Sequence, residues 1–166
     1  MGFRCNVDYK DEFKYYSLFV GSNVLGGGPH SKLFVNVREK ESLCYYIYSS
    51  LEKYKTSMFI SSGIESANYD KTIELIQEQL KYLKEGQISD EELLNSKSAI
   101  ISSLKSIKDS IGGASDFYFS QTMGKTNSTV EKIIEMIEKI TVEDIVDAVK
   151  NIELDTIYFL SNNKEA

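Results

Sequence analysis

The 166 residues carry 25 acidic and 19 basic side chains, a net charge of −6, with 42% hydrophobic and 27% charged residues. That balance excludes collagen-like and disordered classes, and no run of 18 apolar residues is present to span a membrane. The acidic excess argues against a nucleic-acid partner, which calls for a net basic field. A chain of this length buries about 70% of its unfolded surface, so its core needs no disulfide support.

Residues 2–8 place Phe3, Cys5 and Val7 on one side, the alternation of a short strand. From Asp11 to Leu25 the apolar spacing becomes helical, through Phe13, Tyr16, Phe19, Val20, Val24 and Leu25, until Gly26-Gly27-Gly28-Pro29 breaks it. A second short helix is predicted over Ser31–Lys40, with Leu33, Phe34 and Val37 inward. Two strands follow, Cys44–Leu51 and Ser57–Ile64, joined by a turn at Glu52-Lys53-Tyr54-Lys55.

The second half reads as helical. Ile73, Ile76, Leu80 and Leu83 share one face of a helix that Gly86 ends. Ser89 and Glu92 have the spacing of a capping box, in which each side chain satisfies the other's orphan amide. The helix they open carries Leu93, Ile100, Leu104 and Ile107 and is expected to end near Gly112-Gly113. Further helices are predicted at 114–124, 129–139 and 142–151, the last opened by a Thr141–Asp144 box. Asp155–Ser161 reads as a final strand. Strands and helices that cluster rather than alternate predict an α+β fold, with a mixed or antiparallel sheet and helices packed on one face. Residues 1–166 show no internal repeat or linker, so one domain is expected.

The glycine run at 21–28 lacks the Lys and Ser/Thr that a phosphate loop requires; it reads as a helix terminator. His30 is the only histidine, too few for a zinc-peptidase pair spaced one helical turn apart. No G-x-S-x-G elbow supports a serine nucleophile. Catalytic residues, metal ligands and cofactors are therefore expected to be absent from this chain. Cys5 and Cys44 lack C-x-x-C spacing, which points to a reduced, cytoplasmic setting. The abrupt opening, almost inside a strand, leads us to expect a fragment of a longer chain. Tyr45, Tyr46, Tyr48 and Tyr54 fit either ordinary strand packing or a peptide-binding edge, and periodicity does not choose between them.

One segment resembles a known family. Leu25-Gly26-Gly27, Ser31, Leu33-Phe34, Arg38-Glu39, Leu43 and Tyr45 follow the pattern LGG…S-x-L-F…R-E-x-x-x-L-x-Y. That pattern is found in the pitrilysin/insulinase-like metallopeptidases, which include the mitochondrial processing peptidases and the respiratory core proteins. The order of elements is similar to that family's second, C-terminal, non-metal-binding domain, as in an inactive bacterial member.

The resemblance implies a wall of a peptide chamber, with zinc held by an H-x-x-E-H motif in an upstream domain or partner. A homologous metallopeptidase domain or subunit and an extended peptide are the implied partners, with neither nucleic acid nor membrane among them. Arg38 and Tyr45 match the family's substrate-binding pair: Arg38 to a peptide carbonyl, Tyr45 to a developing oxyanion. Each has a plainer alternative. Arg38 could complement the C-terminal end of its helix, and Tyr45 could be core. The competing function is a purely structural assembly subunit like the respiratory core proteins, with no peptide substrate.

Overall fold

The structure is a computed structural model and describes residues 1–161. Its strands are β1 (Gly2–Arg4), β2 (Cys44–Glu52), β3 (Ser57–Ile64) and β4 (Glu153–Thr156). They form one sheet in the order β2-β3-β1-β4, with every pairing antiparallel. Its α-helices are α1 (Glu12–Gly26), α2 (Tyr69–Lys84), α3 (Asp90–Ser106), α4 (Ile111–Gly124), α5 (Val130–Lys139) and α6 (Val142–Val149). The expected α+β arrangement is what forms.

The pleat sorts residues by face. Phe3, Ile47, Met58 and Ile60 point toward the helices and are buried. Tyr46, Tyr48 and Phe59 alternate with them and stand in solvent on the opposite face. Phe3, Cys5 and Val7 are all buried, as their spacing required, although the strand itself covers only Gly2–Arg4. Helix α1 is buried on most of its circumference, as befits a helix between the sheet and an outer helical layer. Asp11 caps it by accepting from the Lys14 amide at 3.2 Å.

Both capping boxes form. The Glu92 amide donates to Ser89 Oγ at 3.1 Å and the Ser89 amide to Glu92 Oε2 at 2.8 Å; Thr141 and Asp144 reciprocate likewise. Gly86 has φ +74° just beyond α2, the left-handed position that ends a helix most readily in glycine.

Two expectations need correcting. Helix α3 stops at Ser106, before the glycine pair, and Gly112 and Gly113 lie inside the first turn of α4. Ser110 makes this tolerable, because its Oγ accepts from the Gly113 amide at 3.1 Å and supplies the cap the turn needs. The final strand is Glu153–Thr156 rather than Asp155–Ser161. Its ladder is set by pairing with Gly2–Arg4, and beyond it Phe159 packs on Tyr69, ring centroids 4.5 Å apart.

Candidate functional site

The end of α1 drives directly against β2. A Cβ on Gly26 would lie 2.5 Å from the Ser49 amide nitrogen, so only glycine permits this approach. Ser49 Oγ donates to the Ser22 carbonyl at 2.6 Å, and the two hydroxyls lie 3.1 Å apart. Ser31 Oγ then closes the glycine turn by donating to the Gly28 carbonyl at 2.6 Å.

The predicted second helix is present but wound differently: Phe34–Glu39 is π-helical, with the Lys40 amide reaching back to the Val35 carbonyl at 3.1 Å. Fully buried Leu33 and Val37 anchor it. Asn36 Nδ2 donates to Gln79 Oε1 at 2.7 Å, tying the segment to α2. Lys32, nearly buried, places Nζ 2.9 and 3.0 Å from the two carboxylate oxygens of Glu92. Glu92 thus serves two ends at once, capping α3 and holding the segment that carries Arg38. The sequence signalled the capping role only, because the Lys32 partnership spans 60 positions.

Arg38 lies in the last turn of the π-helix, its guanidinium carbon 4.5 Å from the centroid of the Phe34 ring, a cation–π arrangement. The chain then turns through Ser42, at φ +53°, into β2. The pairing of β2 with β3 slips between Cys44 and Tyr46, which leaves Tyr45 as the extra residue of a bulge. Bulges re-aim side chains, and Tyr45 is 85% exposed; the alternative that it is core is overturned. Arg38 and Tyr45 therefore border the same turn, one stacked and half-buried, the other free in solvent. Between them sits Cys44, whose thiol burial pushes up, against the opposing effects of a Ser62 hydrogen bond and the Arg38 charge.

From this corner the open sheet face extends across Tyr46 and Tyr48, with ring centroids 6.1 Å apart, to Phe59. β2 is an edge strand, so its outer backbone groups face no neighbouring strand among the described residues. Tyr54 does not join this face; its hydroxyl donates to the Ser120 carbonyl at 3.0 Å and its ring meets Tyr9 edge-on.

The described residues do not assemble a zinc site. His30 Nε2 lies 3.3 Å from Asn23 Oδ1, both cysteines are free thiols, and no group of three or more His, Cys, Asp or Glu among the described residues is placed to hold a metal ion.

The profile of the family described as the peptidase M16 inactive domain matches residues 3–100. The probable inactive metalloprotease YmfF of Bacillus subtilis is 36% identical over all of this chain, which spans 39% of that protein's length. An uncharacterized zinc protease of the same organism, YmxG, is 40% identical over 93 residues, 55% of this chain and 23% of its own. A conserved protein from Enterococcus faecalis superposes with a TM-score of 0.84 at 31% identity, covering 92% of this chain and 36% of that one. The chain belongs to the peptidase M16 inactive-domain family, an inactive peptidase-like domain related to zinc proteases.

Proposed function

We propose that this domain forms a non-catalytic wall of a peptide-binding chamber, and that its open sheet face receives an extended peptide. The observation that carries the reading is Tyr45, thrust into solvent by a bulge on a free sheet edge beside Arg38. An edge strand offers main-chain donors and acceptors to a peptide, Arg38 supplies a rigid fork for its carbonyls, and Tyr45 a positioned hydroxyl. The chain is one domain, part of a longer protein, in keeping with the 39% of YmfF that it spans. The chemistry belongs to an upstream or partner metallopeptidase domain carrying zinc, and the setting is cytoplasmic.

The test is zinc-dependent peptide hydrolysis by an H-x-x-E-H partner, with and without this domain in its full-length context. Added native protein should raise turnover, and Arg38→Ala or Tyr45→Phe should erase the gain while leaving the fold intact by circular dichroism. Unchanged turnover despite association would leave a scaffold. One feature favours that second reading, a purely structural assembly subunit: α4 exposes Ile111, Tyr118, Phe119 and Met123, an apolar face of the kind that subunit contacts bury.

A further inference from the structure

The open face has a second feature, away from the Arg38–Tyr45 corner. A depression of about 490 Å³ opens between β3, β1 and β4, lined in part by Arg4, Lys55, Ser57, Phe59 and Asp155. Phe59 stands across from Gly2 in the pairing of β3 with β1 and gives the depression an apolar wall. Among its lining residues Arg4 and Lys55 outnumber the single carboxylate of Asp155, while Glu153 stands opposite Arg4 in the pairing of β1 with β4. Arg4 commits Nε to Asp155 Oδ1 at 2.6 Å, and Asp155 also accepts from Thr156 Oγ1 at 2.8 Å. The remaining N–H donors of the Arg4 fork have no partner among the described residues, and Arg4 is 70% exposed.

Lys55 supplies a second cation, and it forms no ion pair among the described residues. The nearby Glu52 carboxylate is engaged elsewhere, accepting the Tyr54 and Lys55 backbone amides at 3.3 and 2.7 Å. An apolar wall beneath two cations, one with a partly uncommitted fork, matches one side-chain chemistry: an aliphatic arm ending in a carboxylate.

We propose that this depression is a subsite for an acidic side chain of the bound peptide. The carboxylate is taken by Arg4 and Lys55, and its methylene arm lies on Phe59. The inference rests on the reading of the sheet as a peptide wall and adds a specificity to it. The depression lies inward of β2 and opens on β3, β1 and β4, so the peptide segment that fills it crosses the open face rather than pairing with the β2 edge. Its side chains two positions apart point to the same side, and an apolar residue two from the acid meets Tyr46 and Tyr48.

Calorimetric titration of the whole chain with acetyl-Ala-Phe-Ala-Glu-Ala-amide and its Gln and Lys counterparts tests this. The Glu peptide should bind about tenfold tighter than the Gln peptide at low ionic strength, as a charge-assisted contact requires. The preference should shrink at about 0.5 M salt. On a protein of net charge −6, an acidic peptide is repelled at long range, so such a preference can only arise locally. Arg4→Gln and Lys55→Gln, two independent and exposed changes, should each narrow the Glu-to-Gln ratio. Tyr48→Ser, on the open face outside the depression, should weaken all three peptides and leave the ratio alone. Equal binding of Glu and Gln peptides, or a ratio that survives both substitutions, overturns the subsite and spares the peptide wall. Failure of every peptide to bind overturns both.

Discussion

Met58 and Phe59 are neighbours on one strand, yet Met58 is 0% exposed among the helices and Phe59 is 47% exposed on the far side of the sheet. The two faces are built from the same strands and differ only in which member of each alternating pair they show. On the helix face, area removed from water sets stability. On the open face, large aromatic side chains remain in solvent where the fold gains little from them, and this is the face to which the peptide reading assigns a role.

The contrast is sharpest in unfolding. Met58→Ala should cost about 2–5 kcal/mol, the loss of a fully buried side chain plus its cavity. The urea midpoint measures it, and a cost near zero would break the two-face description. Alkaline titration probes the same face next. Burial pushes the Cys5 thiol from 9.0 up to about 11, partly offset by a hydrogen bond with the Met58 backbone. A thiol whose proton is held more tightly when folded stabilises fully below pH 9, and the contribution fades as pH rises toward 11. Up to about 2–3 kcal/mol is at stake over that window. Burial also raises the Tyr15 and Tyr16 hydroxyls, which extends the decline to higher pH. Cys5→Ala should flatten the fall in melting temperature between pH 9 and 11; an unchanged slope would remove Cys5 as its source.

Gly26→Ala comes third, at about 1–2 kcal/mol. Overpacking against the Ser49 backbone outweighs the helix preference of alanine, and the same urea titration reads it. A stabilising result would mean that α1 and β2 meet less closely than 2.5 Å implies. The smallest stability effect belongs to the open face. Tyr48→Ser forfeits its stack on Tyr46 and should cost less than about 1 kcal/mol. Peptide affinity should nevertheless fall in the same variant, and a peptide titration that leaves affinity untouched would remove Tyr48 from the wall.

Much of the fold was legible because its signals are local. Ser89 and Thr141 announce helix starts through contacts three residues away, and Phe3, Cys5 and Val7 announce a buried face by alternation. The glycine pair at 112–113 misled because its effect depends on Ser110: a capped first turn tolerates glycines that would break a helix interior. Asp155–Ser161 misled because β-propensity does not contain the register of the partner strand. Of the candidate site, residue identity and spacing were readable, but exposure was not. Tyr45 could have been core until the bulge, which is a mismatch between two strands, turned it outward.

The sequence by itself determined the helix boundaries set by caps, the alternation that divides the sheet, and the motif that places the chain in its family. All of these rest on interactions within a few residues or on residue identity. The tertiary structure alone decided the π-winding that carries Arg38, the Lys32–Glu92 pairing that pins it, and the gathering of Arg4, Lys55, Phe59 and Asp155 into one depression. Those features join positions far apart along the chain, and their geometry exists only once the sheet has set its register and the helices have closed over one of its faces.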